Sequence, residues 1–271
     1  MARRRITGFS NETVKAIRAL RDKKHRKAAG RFLAEGLRLL TDARAGGHVP
    51  EMLVLSDARD PHPLLAELEN AVAAAGGEVI ETSPGILARI TGKDNPQSVA
   101  GVFAEFDTSL GRIDRTAAPI WLVAQALRDP GNLGTMLRTG DAIGAGGLIL
   151  IDDCADPFGV EAVRASMGAV FTQAIARARW EEFLPWLRGE QGEAGGQLVA
   201  ASLRAARPYR GAPYGAPCFI LIGNESRGLP ESYEAACDLT VTMPMKGRAD
   251  SLNAAVAAAV LGYEVLDALS R

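Results

Sequence analysis

Cysteine is scarce in this 271-residue sequence. Cys154, Cys218 and Cys237 stand alone, odd in number and never in a CxxC pair. That pattern argues against a disulfide framework or a cysteine zinc site and points to a reducing, cytoplasmic compartment. Histidine is as rare: His25, His48 and His62 are the only three, so the 209 residues after His62 hold none. Chemistry carried there has no imidazole base and no histidine-based metal site, and no metal is expected. Long apolar runs are missing as well. The best stretch, 252–263, has 12 residues and is interrupted by Asn253, whereas a membrane span needs about 20. No apolar run follows the arginines at 3–5, so neither a membrane segment nor a secretory signal is expected. The glycine cluster 144–147 (GAGG) precedes an apolar run instead of following one, which is the wrong context for a nicotinamide fingerprint.

What is present is ordinary globular material: 47% hydrophobic and 23% charged residues, enough chain for one large domain or two modest ones. The net charge of −1 hides an asymmetry. Residues 1–31 hold 11 Lys/Arg against Glu12 and Asp22, a net of +9, and the other 240 residues carry −10. A basic segment on an acidic body reads as a contact for polyanions, with a solvated helix face as the bland alternative. Glu12 and Asp22 do not suit a mitochondrial transit peptide.

The pattern predicts a basic helix over 10–29, a second helix over 32–45, and a strand over 51–56. A helix over 64–75 follows, stopped by Gly76-Gly77, then a short strand at 78–81, a helical turn at 84–90 and a strand over 99–106. This is a compact α/β unit, and the polar stretch 108–119 is a plausible linker. From Ile120 short apolar runs recur at 120–124, 148–151, 172–176, 198–201, 219–222 and 239–243. Their unbroken apolar character suits strands buried on both faces, separated by helices in a parallel, doubly wound sheet. Ligands in such sheets bind beyond the carboxyl ends of the strands.

Three segments stand at such places. RDPGNLGTMLRTG (128–140) follows the first of these strands, with Asn132 placed to cap the next helix and Arg138 farther along it. LIGNESRGL (221–229) carries Gly223, where the backbone turns sharply or meets a ligand closely, then Glu225, Arg227 and Gly228. MPMKGRADSLN (243–253) ends in Ser251, a second candidate cap, before a helix with Leu252, Val256, Val260, Tyr263 and Leu266 along one side. That side reads as core more readily than as a dimer contact. Taken singly, each segment also reads as an ordinary strand-to-helix loop.

In this order, the three segments resemble the motifs of the SpoU-type RNA ribose methyltransferases of the SPOUT superfamily. The first motif matches at Asn132, Gly134 and Arg138, the second at Gly223, Glu225 and Gly228, and the third at Pro244, Ser251, Leu252 and Asn253; an intermediate stretch matches at Arg164, Ser166 and Gly168. The likeness is strong over 120–271. FLAEG (32–36) and NPQ (95–97) resemble the opening and closing signatures of the family's optional substrate-binding domain, with Ser98 where a glycine is common.

The resemblance implies an α/β fold with a deep trefoil knot, a parallel sheet with helices on both faces, preceded by a small α/β domain similar to ribosomal proteins that bind RNA. The implied division is a basic N-terminal arm 1–26, a substrate RNA-binding domain 27–107, a linker 108–119 and a catalytic domain 120–271. It also implies S-adenosylmethionine as cofactor, with Ser202, Gly223, Met243 and Leu252 in contact with it, and methyl transfer to a ribose 2′-hydroxyl in RNA, ribosomal RNA first. A transfer-RNA enzyme and a non-catalytic RNA-binding assembly factor are the alternatives. Arg138 would orient the hydroxyl and stabilise developing charge, since a guanidinium is too basic to serve as the base. Asn132 and Asn253 would hold the site in register, Glu225 would orient Arg138 or another donor, and Ser251 would contact substrate or cap its helix. The implied assembly is a homodimer with a composite site. Arg3, Arg4, Arg5, Lys23, Lys24, Arg26 and Lys27 would grip RNA phosphates.

Overall fold

The computed structural model describes residues 3–189 and 195–271. The chain divides into two compact units, one running to Phe106 and including Asp156–Thr172, the other made of Asp107–Ala155 and Gln173–Arg271.

The first unit runs β1 (Arg3–Ile6), α1 (Glu12–Ala19), α2 (Lys23–Ala29), β2 (Arg31–Glu35), α3 (Leu37–Ala45), β3 (Met52–Ser56), α4 (Pro63–Ala74), β4 (Glu78–Thr82), α5 (Pro84–Thr91) and β5 (Val99–Ala104). Its mixed sheet has the order β1-β4-β3-β5-β2. Two expectations change here. The single helix over 10–29 breaks after Leu20, because the Asp22 side chain accepts the N–H groups of Lys24 and His25 and starts a new helix. The helix expected over 32–45 starts only at Leu37. Phe32, Leu33 and Ala34 pair antiparallel with Phe103, Val102 and Gly101, and all three are buried, so the sheet overrides the local pattern. The two signature segments touch each other: the Gln97 N–H donates to Glu35 Oε1 at 2.7 Å. Val14, Ile17 and Leu20 sit in one apolar cluster with Ile86, Leu87 and Ile90. The first 26 residues are therefore folded into this unit from Arg3 onward and do not form a free arm.

The second unit opens with β6 (Ile120–Gln125), α6 (Pro130–Ala142) and β7 (Gly147–Ile151). The chain then contributes α7 (Val160–Ala165) to the first unit and continues with β8 (Ala174–Ala178), α8 (Trp180–Arg188), β9 (Gln197–Ala201), β10 (Cys218–Ile222), α9 (Glu231–Ala235), β11 (Leu239–Val241) and α10 (Ala254–Leu269). All six strands are parallel, in the order β11-β9-β10-β6-β7-β8. Trp121, Val123, Phe219 and Leu221 pack with Phe183 and Leu187 of α8 on one face, while α6 and α10 cover β6 and β10. The stretch 108–119 is packed here and is no free linker: Thr108 O accepts the Arg177 N–H at 2.9 Å, and Arg115 O accepts Trp121 Nε1 at 3.1 Å. β8 begins two residues later than expected, since 169–171 form a short 3-10 turn.

The 202–217 loop meets the end of the chain twice. Tyr209 N donates to Thr242 O (3.0 Å), and Gly211 N donates to Glu264 Oε1 of α10 (2.9 Å). The final segment thus lies against a preceding loop on both sides of the third motif.

The 156–172 segment is bound into the first unit by aromatic contacts, Phe158 and Phe171 lying 5.0 and 5.9 Å from Phe32. Ser166 is buried there, donating to Val163 O and accepting from Val170 N. Gly168 takes a positive φ of 101°, and Arg164 is exposed.

Candidate functional site

Because every strand of the second sheet runs the same way, the loops after β6, β10 and β11 emerge at one edge. β6 and β10 are neighbours, with Ala124 opposite Ile222, so the first and second motifs leave the sheet side by side. Between these two strands the sheet order turns back on itself, the usual crevice for a ligand.

Glu225 is the hub of this edge. Its carboxylate accepts the N–H groups of Arg128 (3.3 Å) and Asp129 (3.2 Å), the Asn132 amide (3.2 Å) and the Asn224 amide (3.4 Å). Asn253 Nδ2 in turn donates to Asn132 Oδ1 at 2.8 Å. A single hydrogen-bond chain thereby joins residues 253, 132 and 225, one from each motif. Burial pushes the Glu225 carboxyl up. The N–H groups of its own residue, Asp129 and Arg128 and the Asn132 amide pull it further down, so it sits below the usual carboxylate range. With the folded value below the unfolded one, the stability this group contributes is present above the ordinary carboxylate range of about 4.3. It is lost as pH falls through the folded value.

The helix caps differ from those expected. Asp129, not Asn132, caps α6, accepting the Asn132 N–H at 2.6 Å. Asn253, not Ser251, caps α10, accepting from Ala255 N and Val256 N. Asn132 and Asn253 thereby meet side chain to side chain at two helix starts.

Beside this chain lies a cavity of about 340 Å³. Ser202, Gly223, Met243 and Leu252 all line it, as do Ser251, Asn224 and Glu225. Its walls include Ile222, Leu229, Val241 and Met245, and residues 201–204 and 223–228 also line it. A lining of apolar and polar residues, at a volume in the usual range for small-ligand sites, suits a nucleoside carrying an amino-acid tail. Sequence reasoning missed Asn224, Arg204 and Glu234. Arg204 pairs with Glu234 at 2.8 Å and donates to Leu229 O, closing one wall. Asn224 was legible as a turn-forming residue after a strand. Its side-chain oxygen accepts the Ser226 and Arg227 N–H groups, and its amide donates to the carbonyl of Ala126 at 2.8 Å.

Gly223 shows why the second motif begins with glycine. A Cβ there would lie 2.5 Å from the Gly228 carbonyl carbon and 2.6 Å from Leu229 N. Gly223→Ala is expected to push the 223–229 turn off its own return strand and weaken ligand binding in the cavity at least about ten-fold, roughly 1.4 kcal/mol. Calorimetry with S-adenosylmethionine reads this directly; unchanged affinity would show that the turn does not shape the cavity.

Arg138 stands apart. It lies on α6, is exposed, and has no acidic partner among the described residues. Six residues of helix place it about a third of a turn away from Asn132, and it does not line the cavity. Of the two donors expected for Glu225, Arg138 or another, its carboxylate takes others: the Asn132 and Asn224 amides and main chain.

The basic residues of the first unit also sort themselves. Arg3 pairs with Glu69, Arg4 with Glu78 at 2.7 Å and Arg5 with Asp57 at 3.0 Å. Arg26 is only 4% exposed and pairs with Asp156 at 2.8 Å, so it is withdrawn as an RNA contact. Lys23, Lys24 and Lys27 are exposed, with no acidic partner among the described residues. No helix is long and apolar enough to cross a membrane, and no cluster of metal-ligating side chains occurs, among the described residues.

Comparison with known proteins bears on the same two regions. Residues 119–263 match the SpoU rRNA Methylase family, and residues 11–101 match the MRM3-like substrate binding domain. The 23S rRNA (guanosine(2553)-2′-O)-methyltransferase RlmP of Bacillus subtilis is 31% identical, covering 97% of this chain and 99% of its own length. The 23S rRNA (uridine(2479)-2′-O)-methyltransferase of Streptomyces viridochromogenes is also 31% identical, covering 98% and 92%. Among solved structures, an AdoMet-bound rRNA methyltransferase from Sinorhizobium meliloti superposes with a TM-score of 0.90 at 39% identity, covering 98% of each chain.

Proposed function

The chain belongs to the SpoU rRNA methylase family and is an S-adenosylmethionine-dependent RNA 2′-O-ribose methyltransferase of SPOUT fold; from that premise we propose how its residues divide the work. Ribosomal RNA is the substrate. The observation that carries the assignment of the site is the Asn253–Asn132–Glu225 hydrogen-bond chain beside the cavity.

Ser202, Gly223, Met243 and Leu252 hold the cofactor, main chain at its polar rim and side chains at its apolar wall. When bound, the cofactor supplies an electrophilic methyl group on a sulfonium. The difficulty left to the protein is the alcohol, a poor nucleophile at neutral pH. No histidine lies in this half of the chain, so the gain comes from placing the hydroxyl and from steadying charge on its oxygen. Arg138 donates to that oxygen or to the neighbouring phosphate. Asn132 and Asn253 fix the two helix starts that frame the site, Glu225 locks the first motif to the second, and Ser251 at the cavity edge contacts substrate. The first unit binds the RNA, the second carries out transfer, and Lys23, Lys24 and Lys27 add sequence-independent phosphate contacts. The place of action is the cytoplasm.

The working form is a homodimer. On the side of α10 read as core from sequence, Val256 is 47% and Tyr263 54% exposed, while Val260 and Leu266 are half-buried. The buried side is Ala254, Ala255, Ala258, Leu261, Gly262 and Val265. An outward apolar stripe on a terminal helix is a natural isologous contact, and Arg138 would then serve the partner's cavity. Light scattering is expected to give twice the chain mass, and Val256→Asp to give monomers without activity. An active wild-type monomer would end the dimer proposal. The activity itself is tested by mapping 2′-O-methyl groups on ribosomal RNA from cells with and without the gene; identical maps would overturn the substrate assignment.

A further inference from the structure

Phe9 has no part in the site above, yet its setting is distinctive. It lies in the loop between β1 and α1 and is 50% exposed, the only aromatic side chain among the exposed large hydrophobics of the first unit's described residues. One edge rests on the first turn of α5, where a Cβ on Gly85 would be 3.5 Å from Phe9 Cζ. Arg89, one turn later on α5, places its guanidinium carbon 5.8 Å from the ring centroid. Farther along the same helix, Arg21 lies over Gly92, so close that a Cβ there would be 2.1 Å from the Arg21 guanidinium carbon. Helix α1 packs on α5, and from Gly85 to Gly92 the seam is about 10 Å long. Arg21 and Arg89 are exposed, and neither has an acidic partner among the described residues.

These features separate this seam from the other basic parts of the unit. Arg3, Arg4 and Arg5 are matched by acids and Arg26 is buried, whereas Lys23, Lys24 and Lys27 are bare charges with no aromatic surface described beside them. An exposed ring with a cation against it and a second cation along the same groove is suited to a nucleobase followed by its phosphates. A base in a duplex is already stacked on its neighbours and offers no free face. A base splayed from a loop or bulge does.

We propose that the α1/α5 seam is a stacking platform for an unpaired nucleotide of the RNA substrate, with Phe9 taking the base and Arg89 and Arg21 the adjoining backbone phosphates. This rests on the RNA methyltransferase reading and adds to it the structural class of RNA the small domain selects, a loop or bulge with a splayed base. The platform contributes affinity and choice of RNA shape and has no contact with the reacting atoms.

The test uses the full-length protein and two fluorescently labelled RNAs, a hairpin with an unpaired loop and a blunt duplex of equal length. Phe9→Leu keeps the apolar bulk and removes the π-face. Phe9→Ala removes both, and Phe9→Trp keeps an aromatic face. The Leu and Ala variants are expected to bind the hairpin roughly ten-fold more weakly, with duplex binding unchanged, melting temperature and S-adenosylmethionine affinity as in the wild type, and Phe9→Trp close to the wild type. Arg21→Gln with Arg89→Gln is expected to reduce the salt dependence of hairpin binding by about one to two in slope. The proposal is overturned if Phe9→Leu binds the hairpin as the wild type does, or if Phe9→Ala weakens hairpin and duplex alike. Wild-type protein that binds neither RNA and transfers no methyl group would instead overturn the RNA reading itself.

Discussion

Arg138→Ala is expected to lower methyl transfer by about 10²- to 10³-fold, the usual cost of removing one preorganised donor aimed at developing charge. S-adenosylmethionine binding is expected to stay within about two-fold, because Arg138 does not line the cavity, a change worth no more than about 0.4 kcal/mol. Nor should the fold suffer, since the side chain is exposed and carries no ion pair among the described residues. Arg138→Lys keeps the charge but loses the planar fork and is expected to recover little. The composite site allows a sharper measurement. Arg138→Ala and Gly223→Val chains are each inactive alone, but mixing them in equal amounts creates heterodimers in which one cavity has both an intact turn and a partner's arginine. About a quarter of the wild-type sites are then restored, given a two-fold symmetric dimer and random exchange. No recovery on mixing would place Arg138 in the site of its own chain. A variant that keeps full transfer would remove the arginine from the chemistry altogether.

Arg26→Ala is expected to destabilise the protein by about 3–5 kcal/mol, in the range found when one partner of a buried ion pair is deleted. The guanidinium donates to Asp156 Oδ2 from Nε at 3.1 Å and from one terminal nitrogen at 2.8 Å. Its other terminal nitrogen donates to the carbonyls of Leu20 and Arg21 at 2.8 and 2.9 Å. Truncation removes the guanidinium's two hydrogen bonds to Asp156 and a donor from both carbonyls at once. The loss should appear as a melting temperature lower by on the order of 10 °C. Arg26→Lys is expected to recover only part, since one ammonium cannot reach three acceptors in the guanidinium's fixed fork. The contrasting variant replaces Lys23, Lys24 and Lys27 by alanine. It is expected to leave the melting temperature alone and to reduce the salt slope of RNA binding by about two to three. If Arg26→Ala instead melts like the wild type and loses salt-dependent RNA binding, Arg26 is a phosphate contact after all.

These two arginines show how far the sequence reading reached. Arg138 was marked by its place in a motif, and its solvent exposure leaves that reading open to test. Arg26 belonged to a basic run, KKHRK, in which nothing local distinguishes it from Lys23, Lys24 or Lys27. Only Asp156, 130 residues away, makes it a buried strut. The same holds for Arg3, Arg4 and Arg5, whose charge is matched by Glu69, Glu78 and Asp57 from elements that sequence order separates widely. Charge counts gave the sign of the segment correctly but could not say which charges remain available.

Helix α10 carries a different lesson. Large apolar side chains at helical spacing, Leu252, Val256, Val260 and Tyr263, suggested the core face. The opposite, alanine-rich side faces the core because α10 lies tight against the end of α6: a Cβ at Gly262 would be 2.9 Å from Ile143 Cδ1. At that point the approach leaves no room for a side chain larger than glycine's, and a hydrophobicity pattern ranks glycine and alanine below the larger residues of the opposite side.

Continuous apolar runs by themselves determined the six parallel strands to within one residue at each end, apart from β8, which is shifted by two residues, and β11, which ends two residues early. Parallel strands in turn put the three motif loops at one edge, because every carboxyl end points the same way. Cysteine and histidine counts likewise argue by themselves against a disulfide framework and, after His62, leave no imidazole base. The tertiary structure alone decided that Phe32–Ala34 form a strand, which arginines are spent on internal pairs, which side of α10 is buried, and that Glu225 is held by Asn132, Asn224 and main chain. The physical reason is one of range. Periodicity and turn chemistry act over a few residues of chain, whereas burial and hydrogen-bond partnership are settled by groups that only folding brings together.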